Sequence, residues 1–159
     1  MKYQLTGEYE IKIDAKGRIK LPANLLKQLT TTGSFEFVVN RGYDTHLVLY
    51  PIDVWQEKIE ELESLNINIK NQRRTIRYFH RGATQVTSDS SERVLIPKNL
   101  IQYAGIEKQI VLFAYRDQIE IWSKDAYQEM IDEEPENYSD LAEEAFGSAV
   151  AAKPEKNDE

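Results

Sequence analysis

The chain has 159 residues, 41% of them hydrophobic, and no cysteine, so one compact core or two small intertwined ones can form, while disulfides and thiolate metal sites are excluded. Its net charge of −7 divides into +3 over residues 1–82 (13 basic, 10 acidic), −1 over 83–122 (4 and 5) and −9 over 123–159 (3 and 12). The acidity therefore belongs to a tail and leaves room for a basic edge elsewhere, while the absence of a long apolar run or a signal-peptide pattern predicts a cytoplasmic protein with no membrane partner.

In chain order, Tyr9, Ile11 and Ile13 alternate with Glu8, Glu10 and Lys12, the pattern of a half-buried strand, and Ile19 and Leu21 resume it beyond a turn. Gly17 suits the positive-φ position of that turn, so a hairpin is expected here. Pro22 suits the first turn of a helix reaching Leu29, with Leu25, Leu26 and Leu29 on one face. Phe35–Val39 and Leu47–Leu49 read as two strands around the turn-rich Asn40–Asp44. Pro51 opens a longer helix with Trp55, Ile59 and Leu62 on one side and Glu57, Glu60, Glu61 and Glu63 facing out. A second helix over Lys70–Phe79 carries Arg73, Arg74 and Arg77, with Arg81 just beyond. A last short helix is expected near Leu141–Phe146, before a disordered C-terminus.

The sequence repeats itself. Asp14-Ala-Lys-Gly-Arg-Ile-Lys-Leu-Pro22 recurs as Asp89-Ser-Ser-Glu-Arg-Val-Leu-Ile-Pro97 at an offset of 75 residues, and Tyr50–Glu57 matches Trp122–Glu129 at an offset of 72. A duplicated unit buries its apolar face against its twin, so pseudo-symmetry is expected. The helices bearing Trp55, Ile59, Leu62, Ile76 and Phe79 carry more apolar surface than two such units bury internally, and the surplus is expected at contacts between copies of the chain.

No catalytic constellation emerges. His46 and His80 lie apart, without the carboxylate spacing of a metal site, and read as surface or interface residues. No glycine-rich loop follows a strand, and no nucleophile has a base, so neither an enzyme, a metal, a cofactor nor a small-molecule substrate is expected. The Asp14–Arg18 and Asp89–Arg93 pairs have two compatible readings. They lock a turn, or the same turn projects its cations toward phosphates and guanine edges. The arginine stripe reads as a solvated face or as a salt-bridge partner for the glutamate-rich helix before it.

These motifs in order resemble the MraZ family of bacterial regulators over about residues 1–145. The resemblance rests on Gly7-Glu-Tyr, the string at 14–22, Leu49-Tyr-Pro before Trp55, Arg77 followed by Gly82-Ala83, the second Asp-x-x-x-Arg, Tyr103-Ala-Gly and Ile119-Glu-Ile-Trp-Ser123. It implies an α+β fold, mainly β with peripheral helices, in which two β-α-β units interleave as swapped hairpins into an AbrB/SpoVT-like barrel. On that reading residues 1–56 form the first repeat, 57–81 the connecting helices, 82–130 the second repeat, and 131–159 an acidic, partly disordered tail.

The resemblance further implies a nucleoid-associated transcriptional regulator that binds double-stranded DNA at direct repeats in a promoter of the division and cell-wall gene cluster, as a ring-shaped homo-oligomer. The implied DNA-facing residues are Asp14, Lys16, Gly17, Arg18 and Lys20, with Asp89 and Arg93 from the second copy. That second loop departs from the pattern, since Ser91 and Glu92 replace lysine and glycine, and a glutamate facing phosphate weakens attraction. The rival reading is a protein-interaction or antitoxin-like module on the same barrel, with purely structural loops.

Overall fold

The computed structural model describes residues 3–29, 33–133 and 136–151. Strand β1 (Leu5–Lys12) alternates as its sequence predicts, with Thr6, Glu8, Glu10 and Lys12 exposed. Beyond the turn at residues 14–17, β2 (Arg18–Lys20) does not fold back on β1. β1 instead pairs antiparallel with β7 (Gln109–Arg116), and β2 pairs with β6 (Arg93–Leu95) of the other copy. The expected hairpin is thus opened and its two arms are shared with the twin unit. An alternating pattern specifies which face of a strand is buried, not which strand lies beside it.

The short helix α1 (Ala23–Leu26) stops before the expected Leu29. The N–H groups of Gln28 and Leu29 bond three residues back, and the Gln28 amide turns to clamp edge strand β1, accepting from the Thr6 N–H and donating to the Thr6 carbonyl. β3 (Glu36–Arg41) and β4 (Leu47–Pro51) form a hairpin. Its turn begins later than predicted, at Gly42, because Asn40 is buried and its amide donates to the Phe79 carbonyl. Helices α2 (Ile52–Glu63) and α3 (Lys70–His80) follow, with the Trp55 and Phe79 rings stacked at 5.3 Å. The second copy then gives β5 (Thr84–Thr87), β6, α4 (Lys98–Tyr103), β7, β8 (Gln118–Ser123) and α5 (Lys124–Asp132).

The large sheet has the order β1-β7-β8-β4-β3-β5. Exchanging equivalent strands of the two copies turns this order into its own reverse, the mark of a pseudo-two-fold axis between β4 and β8. The register agrees: Val48 faces its own counterpart Glu120 across that seam, and Ile19 faces its own counterpart Val94 in the β2–β6 ribbon. Ile19 and Val94 are completely buried and join Leu25, Leu47, Leu100, Ile119 and Ile121 in one core. The fold is therefore the expected α+β, duplicated swapped-hairpin arrangement, built as an open six-stranded antiparallel sheet with a two-stranded ribbon against its core.

The chain divides into a unit over residues 1–127 and another over 128–159. The second holds the end of α5 and the helix α6 (Tyr138–Ala151), which is longer than the helix expected near Leu141–Phe146. The C-terminal stretch expected to be disordered lies, from residue 152 on, outside the described residues. No helix of the described residues is long and apolar enough to cross a membrane.

Candidate nucleic-acid interface

The two Asp-x-x-x-Arg segments fold into the same turn. In the first, Asp14 Oδ1 accepts the backbone N–H groups of Lys16 (3.0 Å) and Arg18 (2.8 Å), while Oδ2 accepts Arg18 Nε at 2.7 Å. The Asp14 N–H donates to the Arg18 carbonyl, and the Gly17 N–H to the Asp14 carbonyl. In the second, Asp89 Oδ1 accepts the N–H groups of Ser91 (2.8 Å) and Arg93 (3.0 Å), and Oδ2 accepts Arg93 Nε at 3.0 Å. The same two backbone bonds recur there. The short side chain of an aspartate reaches two residues along its own backbone, which explains why the acid comes first in each motif.

These bonds set the electrostatics. The backbone N–H of Arg18 holds the Asp14 carboxyl below the usual carboxylate range, against a smaller opposing effect of burial, and Arg93 does the same for Asp89. Each arginine is tied at Nε, and Nη1 and Nη2 make no hydrogen bond among the described residues. Their fork remains available for an outside acceptor.

The position that requires a left-handed backbone separates the loops. Gly17 has φ +88°, and a Cβ there would meet the Ile96 carbonyl at 3.2 Å and Ile101 Cδ1 at 3.1 Å. Glu92 occupies the equivalent place with φ +62°, a conformation that costs an ordinary L-residue about 1–2 kcal/mol. Both carbonyls do the same work: Gly17 accepts the Ile96 N–H and Glu92 the Leu21 N–H, so each loop is pinned to the opposite copy.

The sequence-predicted residues gather around the β2–β6 ribbon, though not in two independent sets. Arg18 lies across from Leu95, and Lys20 across from Arg93. Lys20, grouped by sequence with the first loop, thus stands beside the second. Lys16 and Lys20 are exposed, and Arg18 and Arg93 are half-buried. Sequence reasoning assigned nothing to Leu95, which is 56% exposed. Its signal was the mismatch with Lys20 in the aligned repeats, but only the ribbon register brings it beside Arg18.

Two further expectations are corrected. His46 is buried rather than on the surface: its ring stacks on Trp122 at 4.3 Å, and Nε2 lies 3.3 Å from Glu120 Oε2. Glu120 also accepts from the Trp122 indole (3.0 Å) and the Tyr115 hydroxyl (2.8 Å). Burial pushes its carboxyl up, but the donors of His46, Trp122 and Tyr115 outweigh that and leave it lowered. This cluster sits at the seam, where the first copy has Val48. The second correction concerns the arginine stripe. Among the described residues no ion pair joins α3 to the glutamates of α2, and Arg73 instead donates to the Ile67 carbonyl. The solvated-face alternative stands.

The family described as "MraZ protein, putative antitoxin-like" matches the chain twice, at residues 4–78 and 79–149. A protein of Christiangramia forsetii named transcriptional regulator MraZ is 40% identical over 145 residues, covering 91% of this chain and 94% of its own length. Proteins of the same name from Pediococcus pentosaceus and Halothermothrix orenii are 38% and 37% identical, each covering 86% of this chain and 93% and 92% of their own.

Proposed function

The chain belongs to the MraZ family, and from that premise we propose that it is a cytoplasmic, nucleoid-associated transcriptional regulator that binds double-stranded DNA through its β2–β6 ribbon and flanking loops. The observation that carries this reading is the tethered arginine. Asp14 fixes Arg18 by Nε and leaves the rest of the fork free on an exposed basic ribbon. A pre-organised guanidinium of this kind suits a phosphate or the O6/N7 edge of guanine. Lys16 adds phosphate attraction, and the first loop makes the stronger contact because Glu92 opposes phosphate in the second.

The regulator acts without enzymatic chemistry or a cofactor and assembles as a ring-shaped homo-oligomer on direct repeats in a promoter of the division and cell-wall genes. Assembly is supported by the helical arm: α3 buries no residue, α2 buries only Val54, and Ile67, Ile69 and Tyr78 stay exposed there. Several modest loops on one ring gain affinity on repeated sites through effective concentration. The test is titration of DNA from upstream of the chain's own gene with the full chain, at two salt concentrations, with its mass followed by light scattering. Specific, salt-sensitive binding by an oligomer supports the reading; a monomer that ignores this DNA contradicts it.

A further inference from the structure

The outer face of the β2–β6 ribbon has four side chains, and three are cationic. Ile19 and Val94 point inward and are completely buried, so Arg18, Lys20, Arg93 and Leu95 point out. Leu95 holds the place of Lys20 in the other copy and lies directly across from Arg18. Its Cδ1 comes within 3.8 Å of where a Gly17 Cβ would sit, so the leucine leans on the first loop rather than over the core. An exposed leucine alone needs no explanation. One that replaces a lysine, beside a tethered arginine and against the turn that presents it, supplies a second kind of contact at the same spot.

We infer that Leu95 is a specificity-determining residue that makes apolar contact with the C5-methyl group of a thymine next to the base or phosphate held by Arg18. The inference rests on the DNA-binding reading above and deepens it. The major groove admits a two-stranded β-ribbon, and within it the thymine methyl is the one apolar feature that the bases offer. Residues opposite each other in an antiparallel pair have Cβ atoms about 5 Å apart, a separation that fits neighbouring base pairs. The pseudo-symmetric spot beside Arg93 holds Lys20 instead, so the two ends of the ribbon read different things: Arg18 with an apolar neighbour, Arg93 with a second cation.

The test uses the full, assembled chain and two versions of the duplex from upstream of its own gene, one with thymidine and one with deoxyuridine, which lacks only the methyl. Wild type should bind the thymidine duplex more tightly, by about fourfold for each engaged loop, the effect of one buried methyl. Leu95→Ala should lose that preference. Leu95→Lys, which restores the ribbon's symmetry, should lose it too while steepening the salt dependence. Lys20→Ala should bind more weakly yet keep the preference. Arg18-dependent binding with the same thymidine-to-deoxyuridine ratio in wild type and Leu95→Ala would overturn the role of Leu95 alone. Absence of any Arg18-dependent binding would instead overturn the functional reading beneath it.

Discussion

The first loop pairs a glycine with a lysine where the second has a glutamate and a serine, yet the two turns share five equivalent hydrogen bonds. The only side chains that hold the turn are those of Asp and Arg, the other bonds being backbone, so the residues between them are free to vary in charge as long as one accepts a left-handed backbone. Duplication thus preserved a shape while the chemistry on it diverged. The same holds at the seam, where Val48 in one copy faces a hydrogen-bonded Glu120 in the other.

The largest effect should come from breaking the comparison at the arginines. Arg18→Ala should cost about 1–3 kcal/mol of DNA affinity per engaged loop, multiplied across a ring, with the protein still folded and assembled. Arg93→Ala should cost clearly less, with its loss appearing mainly in thermal stability; parallel titrations and melting curves check both. Next comes the seam. Glu120→Ala strips a buried acceptor from Trp122, Tyr115 and His46 at once and should lower stability by at least about 3 kcal/mol, at about 1 kcal/mol or more per orphaned donor, measured by denaturant unfolding. Val48→Ala, at the opposite seam position, leaves only a small cavity and should cost less.

Smaller effects sharpen the contrast between the turns. Gly17→Ala forces a Cβ against the Ile96 carbonyl at a left-handed position and should destabilise by about 1–3 kcal/mol. Glu92→Gly relieves strain at the equivalent place and should raise the thermal midpoint slightly while tightening DNA binding. The smallest effect is a shared one. Because backbone N–H groups lower the pKa of both Asp14 and Asp89, their contribution is complete above the ordinary Asp value of about 4 and is lost as pH falls through the depressed folded values. Asp14→Asn and Asp89→Asn should each flatten the acid limb of the melting-temperature profile, and by similar amounts.

Much of this was legible in the sequence because it is local. The Asp–Arg turn spans five residues, the left-handed glycine and the proline-led helices α1 and α4 follow from short spacings, and the duplication shows as one short motif written twice. What escaped depends on partners far along the chain. Nothing in the alternation of residues 8–13 says that β1 will pair with β7 instead of β2. His46 reads as a surface or interface residue until β8 brings Glu120 to it across the seam. Leu95 carries no assignment from sequence, because only the ribbon register brings it beside Arg18.

The most direct test of the claim that residue chemistry, on an unchanged turn, makes the loops unequal is to exchange that chemistry. In one variant Ser91→Lys and Glu92→Gly give the second loop the first loop's residues; in the other Lys16→Ser and Gly17→Glu do the reverse. Affinity for the upstream DNA is measured against salt for each. The first variant should bind more tightly, with a log–log salt slope steeper by about one for each phosphate newly engaged, and the second should lose most binding while remaining assembled, though with a lower thermal midpoint because its new Cβ meets the Ile96 carbonyl. Unchanged affinity and slope in the first variant, with both proteins folded, would contradict the claim.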